Sequence, residues 1–135
     1  MLPSGLPEVV ADDEDLARFL TSSSQFTASA VKPVAFLPVP RDRETSMFRH
    51  GSEPRAALWE VGDEYAAGSR TIHGAAIVTA GAIGRAGLDV CSDEPPPRHA
   101  TIRGWPWLED DPALQKAKQK ERAARVAREA KLVRR

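Results

Sequence analysis

The last quarter of the chain differs sharply in composition from everything before it. All eleven prolines and all nine glycines lie at or before Pro112, and Ala, Lys, Arg, Gln and Glu dominate from there to Arg135. A run of helix-favouring residues without breakers predicts one helix of about 23 residues, with Asp111 as N-cap and Pro112 in the first helical position. The sequence therefore predicts a globular part followed by a single C-terminal helix.

The globular part is predicted to be one domain. A chain of 135 residues has room for one compact domain and an arm, and not for two full cores. We place the domain at residues 12–107, after a Pro- and Gly-containing lead-in over 1–11 that we expect to be flexible, and before the basic helix of 108–135. The break in composition also predicts that a chain ending near Leu108 would still fold.

The first element of the domain is predicted to be a short helix. Asp12 or Asp13 can act as its N-cap, and acids in a first turn suit the helix dipole. Leu16, Phe19 and Leu20 follow at the i, i+3, i+4 spacing of one helix face.

Short apolar segments separated by Gly and Pro make up the rest of the domain. The region from Ser52 to Gly68 has a helix start signal and a helical apolar stripe, and Thr79 can cap a short helix that ends before Gly87. Extended segments are predicted over 31–39, 45–50, 70–78, 88–90 and 99–103. This order predicts a small α+β domain of short, mostly antiparallel strands with two or three helices, plus the C-terminal basic helix.

Charge is balanced overall but unevenly distributed. Nineteen bases match nineteen acids, so the total charge does not point to nucleic acid, a membrane or an acidic substrate. The C-terminal helix nevertheless contains nine cations: Lys116, Lys118, Lys120, Arg122, Arg125, Arg128, Lys131, Arg134 and Arg135. This density predicts contacts with phosphates or with an acidic protein surface. The alternative is a solvated helix in which Glu121 and Glu129 pair with neighbouring arginines.

A second group of residues, histidines and arginines, predicts a different chemistry. Its members are Arg49, Arg70, His73, Arg98, His99 and Thr101. Phosphodiester cleavage needs an imidazole that moves protons and guanidiniums that hold phosphate oxygens. The His99-Ala-Thr-Ile102 segment resembles half of a two-histidine phosphoesterase site, but neither of the other histidines supplies the second half. A phosphodiester- or nucleotide-directed enzyme is therefore the alternative to a non-enzymatic function.

Motifs for metal ions, cofactors and membranes are not recognisable in the sequence. The three histidines lack the spacing of a metal site, and the glycines do not form a phosphate-binding loop. Cys91 is the only cysteine, which favours a reducing cytoplasm, and no apolar run is long enough to span a membrane. We therefore expect neither metal nor cofactor, no membrane association and a cytoplasmic location.

Six segments between Val31 and Pro106 are the basis of a resemblance to a protein family. They are Val31-Lys-Pro-Val-Ala-Phe-Leu-Pro38, Ser46-Met-Phe-Arg49, Leu58-Trp-Glu60, Arg70-Thr-Ile-His-Gly74, Ala86-Gly-Leu-Asp-Val90 and Glu94-Pro-Pro-Pro-Arg-His-Ala-Thr-Ile-Arg-Gly-Trp-Pro106. With these segments, about half of the chain resembles a family of small bacterial proteins that has no established activity. The resemblance implies a bacterial cytosolic protein and assigns no catalytic residue.

Together these features favour a binding or accessory module over an enzyme. The α+β domain is predicted to engage a protein partner, and the basic helix to contact an acidic surface or nucleic acid. A place in a bacterial defence or mobile-element locus is a hypothesis consistent with the small size.

Overall fold

The computed structural model describes residues 1–51 and 53–135, and its centre is one antiparallel sheet of six strands. The strands are β1 (Asp15–Leu20), β2 (Thr45–Arg49), β3 (Gly74–Thr79), β4 (Asp89–Ser92), β5 (His99–Arg103) and β6 (Lys131–Arg134). They lie in the order β4-β5-β2-β1-β3-β6, and every neighbouring pair is antiparallel. The predicted α+β fold class is confirmed.

Three α-helices pack on this sheet. They are α1 (Arg55–Val61), which continues as a π-helical turn (Gly62–Ala66), α2 (Ala80–Arg85) and α3 (Pro112–Glu129). The predicted caps of the last two are confirmed, because the Thr79 side chain accepts a hydrogen bond from the Ala82 amide and Asp111 accepts one from Leu114. Ser52, part of the predicted start signal of α1, lies outside the described residues.

Side chains alternate between two faces of the sheet, and each face has its own core. The first face, with Leu16, Leu20 and Met47, is covered by α2, α3 and a 3-10 turn (Pro33–Phe36). On the second face, Phe19 and Phe48 pack with Leu58 of α1 in a smaller core. The first face therefore carries the main core, and α1 covers only the middle of the second face.

The helix predicted between Asp12 and Leu20 is wrong, because residues 15–20 form strand β1. β1 lies between β2 and β3, and both of its faces are buried. Leu16 and Leu20 therefore face one core while Ala17 and Phe19 face the other. A strand that is apolar on both faces can mimic the i, i+3, i+4 spacing of a helix.

The extended segment predicted over 31–39 is also wrong. Val31 and Val39 each make one isolated bridge, to Phe26 and Glu44, and the residues between them turn as the 3-10 helix that Pro33 begins. The turn buries Phe36 completely against the first face. A single large side chain thus sets the path of this segment.

The C-terminal helix is shorter than predicted, and it is followed by a strand. α3 ends at Glu129, Ala130 is extended, and β6 pairs with β3 along 131–134. Ala123, Val126 and Ala127 of α3 are buried in the first-face core, and Val133 of β6 is also buried. These contacts lead us to expect, against the inference from composition, that the C-terminal segment is needed for folding.

Gly74 allows β6 to approach β3 closely. A Cβ atom at this position would lie 2.5 Å from the main-chain oxygen of Val133. We expect Gly74→Ala to lower the free energy of unfolding by about 1–3 kcal/mol, because β6 must shift. The matched control is Gly84→Ala in α2, where a Cβ meets nothing within 4 Å; this variant should equal or exceed the parent by up to about 1 kcal/mol. Equal urea midpoints for the two variants would contradict this account of β6.

Candidate functional site

The packing of α3 determines which of its cations face solvent. Because Ala123, Val126 and Ala127 are buried, the opposite side of the helix is exposed. Four cations of the helix are exposed, and we call them the basic face: Lys116, Lys118, Lys120 and Arg128. At about 100° per residue, Lys118 and Arg128 lie opposite the buried residues, whereas Lys116 and Lys120 lie on the flank beside Ala123 and Ala127. At a rise of 1.5 Å per residue the four cations extend along about 18 Å of helix. The salt bridges found among the described residues involve none of these four.

Two predicted cations of α3 make contacts within the protein. Arg122 is partly buried, and its Nη1 donates to the carbonyl oxygens of Gly87 at 3.2 Å and Gly104 at 3.3 Å. Arg125 pairs with Glu121 one turn earlier, with Nη2 2.8 Å from Oε1. The helix-surface pairing predicted from the sequence is therefore present at this one position, and Arg122 fastens α3 to the loops beside β4 and β5.

The last three predicted cations belong to β6 and the residue after it. Lys131 is exposed, and the guanidinium of Arg134 lies 5.4 Å from the centre of the Phe26 ring. Arg135 donates two hydrogen bonds to Asp63, at 2.6 and 2.7 Å. These bonds lower the pKa of the Asp63 carboxyl and raise the pKa of the Arg135 guanidinium. Arg135 is thus engaged with the turn after α1, away from the basic face.

The fold adds one cation that the sequence did not single out. Arg85, in the last turn of α2, lines a groove of about 390 Å³ together with Arg125 and Arg128. Glu129 is the acidic side chain of this groove. Arg85 was missed because only the tertiary structure brings α2 beside α3, although a base in a last helical turn is a usual partner of the helix dipole.

The two histidines of the alternative prediction do not converge. His73 is exposed just before β3, and His99 begins β5. Two strands lie between β5 and β3, so at about 4.8 Å per strand the two elements are roughly 14 Å apart. Arg70 is exposed and lines a groove on the second face. One site using both histidines is therefore not formed.

Arg49 and Arg98 serve the fold. Arg49 lies on the first face and is 1% exposed, and its Nη2 donates to Glu14 at 2.7 Å. The guanidinium of Arg98 donates to the main-chain oxygens of Arg49 at 2.8 Å and His50 at 3.2 Å. Burial, followed by the charge of Arg55, lowers the pKa of His50. Both arginines thus hold the end of β2 in place.

His99 has a contact that the sequence did not reveal. Its Nε2 lies 2.6 Å from the hydroxyl of Ser46 on β2, and its Nδ1 lies 2.9 Å from the main-chain oxygen of Asp93. Thr101 stands two residues along β5, opposite Ser46 in the register. Ser46 could be recognised as a residue of strand β2, but its neighbour depends on the pairing of β2 with β5, which the sequence does not specify.

Comparison with protein-family models, curated proteins and solved structures gave no match for this chain. Residues 1–51 and 53–135 contain no helix long and apolar enough to cross a membrane. No group of three or more potential ligands among these residues is placed to hold a metal ion.

Proposed function

We propose that the protein is a binding module that contacts the phosphate backbone of a nucleic acid through the basic face. The observation that carries this proposal is the exposure of Lys116, Lys118, Lys120 and Arg128 on a helix that Ala123, Val126 and Ala127 hold in the core. A docked helix presents its cations without a folding cost on binding, and each phosphate it neutralises releases a counterion. Arg85 extends the same surface onto α2.

The chemistry of this surface favours nucleic acid over protein. The centres of protein–protein interfaces are rich in aromatic residues and poor in Lys, whereas interfaces with nucleic acid are polar and strongly positive. Among the described residues of α3, Leu114 is the one large apolar side chain that is exposed. An acidic protein surface is the second candidate, favoured by the net charge of zero, because such a chain has little long-range attraction to nucleic acid.

The setting of the protein is also part of the proposal. Cys91 is free, which supports a reducing cytoplasm as the setting. The alternative, a phosphodiester-directed enzyme, has less support, because the fold separates His73 from His99 and uses Arg49 as a structural residue. A protein partner for the α+β domain remains part of the proposal.

Charge reversal on the basic face tests the nucleic-acid proposal. We expect Lys120→Glu combined with Arg128→Glu to weaken binding to a generic oligonucleotide by about tenfold for each lost contact near 0.1 M salt, and to flatten the slope of log affinity against log salt by about 2. Fluorescence anisotropy over a range of salt concentrations gives both values. Thermal unfolding should change little, because both side chains are exposed and outside the described salt bridges.

The matched control is Arg41→Glu combined with Arg55→Glu. Both arginines are exposed, neither lies on α3, and the change in net charge is the same. If the control pair weakens binding as strongly as the basic-face pair, the interaction reflects net charge and the proposed surface is wrong. Absence of oligonucleotide binding to the parent protein would leave the acidic-protein candidate in its place.

A further inference from the structure

The part of the second sheet face that α1 leaves uncovered forms a separate site. Ser46 on β2, Thr101 on β5 and Cys91 on β4 lie side by side in the register and therefore point to the same face. His99, two residues before Thr101, points the same way, and its ring meets Phe48 edge-on at 5.2 Å. This face has no part in binding through α3, which packs on the opposite side of the sheet.

The hydrogen bonds of His99 fix its tautomer. A main-chain carbonyl can only accept, so Nδ1, 2.9 Å from the Asp93 oxygen, carries the proton. In the neutral imidazole, Nε2 then has the free lone pair, and the Ser46 hydroxyl, 2.6 Å away, is placed to donate to it. The Asp93 carboxylate lies 3.4 Å from Nδ1. A hydroxyl that donates to a neutral imidazole, itself held by a third group, is the arrangement that activates a serine nucleophile.

A second observation points to a ligand. Thr101 is 2% exposed, and its hydroxyl has no hydrogen-bond partner among the described residues. A buried hydroxyl without a partner costs free energy, so its retention needs a reason. Thr101 lines a groove of about 530 Å³, whose other polar side chains are Ser46, His99, Asp93, Asp42 and Glu44. A substrate oxygen beside Ser46 would give this hydroxyl a partner, and a negative charge developing on that oxygen would strengthen the bond.

Carboxylates line this groove itself, but the space next to it is cationic. A neighbouring groove of about 280 Å³ shares Ser46 with the first one and is lined by Arg18 and Arg70. Among the described residues, Arg18 donates only to main-chain oxygens, those of Ala35 at 2.8 Å and Ser46 at 3.0 Å. Burial and the charge of Arg70 lower the pKa of Arg18. Two guanidiniums without a carboxylate partner among the described salt bridges favour an anionic group on the ligand.

We propose that Ser46 is the nucleophile and His99 the general base of a hydrolytic site for small carboxylic esters that carry an anionic group. The Ser46 oxygen attacks the carbonyl carbon while its proton passes to Nε2 of His99. The bond from carbon to the alcohol oxygen then breaks, and that oxygen takes the proton from Nε2. A water molecule attacks the acyl-serine, gives a proton to Nε2, and the acid leaves as Ser46 regains its proton.

Labelling of the full chain with a fluorophosphonate tests the nucleophile. We expect one adduct, located at Ser46 by peptide mass spectrometry, and none in Ser46→Ala. His99→Gln should slow labelling by about a hundredfold or more, because the base is lost. Ser69→Ala, at an exposed serine on another part of the surface, is the control and should label as the parent does. Folded parent protein without an adduct at Ser46, or equal rates in parent and His99→Gln, overturns the proposal.

A cysteine variant tests the base without altering His99. In Ser46→Cys we expect the introduced thiol to react with iodoacetamide at least about tenfold faster than Cys91, because an adjacent imidazole favours the thiolate. Cys91 stands on the same face two strands away and serves as the internal control. Equal alkylation of the two thiols in folded protein contradicts activation by His99.

Two nitrophenyl esters test the substrate class. The parent should hydrolyse the hemisuccinate, which is anionic, faster than the neutral acetate. Arg70→Met should lower the ratio of kcat/KM for the hemisuccinate to kcat/KM for the acetate by about tenfold, because a charge-assisted contact is lost. Arg55→Met, at an exposed arginine of α1, should leave the ratio unchanged. A ratio that Arg70→Met does not alter would remove the anionic group from the proposed substrate.

Discussion

A chain that ends at Leu108 should fail to fold cooperatively. This truncation removes three buried residues of α3, among them Val126, which is fully buried in the first-face core. It also removes β6 and exposes the edge of β3. Burial of one large apolar side chain is worth about 1.5–3 kcal/mol, and α3 also shields core residues such as Phe36, so the loss is comparable to a total stability of about 5–15 kcal/mol. Thermal unfolding followed by circular dichroism gives the result.

A chain that ends at Glu129 is the control for this truncation. It keeps the whole of α3 and lacks only β6 and the residues around it. This shorter deletion should lower the midpoint of unfolding but keep a cooperative transition, because the main core is still covered. A sharp transition near the parent midpoint in the chain that ends at Leu108 would show that residues 12–107 are an independent domain after all.

Arg49→Ala should cost about 3–5 kcal/mol of unfolding free energy, since it leaves the carboxylate of Glu14 largely buried without its partner. The guanidinium joins three parts of the chain. Besides Glu14, it donates to the main-chain oxygen of Pro7 and to the Ser92 hydroxyl. The main-chain oxygen of Glu8 accepts a hydrogen bond from the Ser92 hydroxyl, which holds Glu8 close to Arg49. The N-terminal lead-in should therefore loosen together with the core in this variant.

Two further variants separate the buried charge from the lost side chain. Adding Glu14→Gln to Arg49→Ala should recover part of the stability, because no unpaired carboxylate then remains. Arg43→Ala should cost less than about 1 kcal/mol, because its partner Glu109 and Arg43 itself are both exposed. Chemical denaturation of the four proteins measures these differences. Equal stabilities of Arg49→Ala and Arg43→Ala would contradict the structural role of Arg49.

Features that depend on neighbouring residues could be predicted from the sequence. Thr79 and Asp111 cap their helices through bonds to amides three residues ahead, so the cap signal is complete within one turn. Strand β5 was predicted for the same kind of reason, from a run of β-favouring residues ended by Gly104. These local signals were sufficient for the fold class.

Features that depend on distant contacts could not be predicted. Leu16, Phe19 and Leu20 fit a helix until the strands on either side of β1 are known. Lys131 to Arg134 continue a helix-rich composition, and only the edge of β3 makes them a strand. The candidate sites could not be predicted for the same reason. The register of β2 with β5 brings Ser46 to His99. The packing of α3 determines which four of the nine predicted cations stay exposed and outside the described salt bridges on that helix.

Titration of a fluorescent oligonucleotide with the full chain, at about 50 and 200 mM salt, tests the central claim most directly. If the four cations of the basic face each meet a phosphate, affinity should fall by about 50- to 150-fold between these two conditions, and two unrelated sequences should bind alike. Absence of binding at the lower salt concentration, or an affinity that does not change with salt, would contradict the proposal that α3 is a nucleic-acid-binding surface.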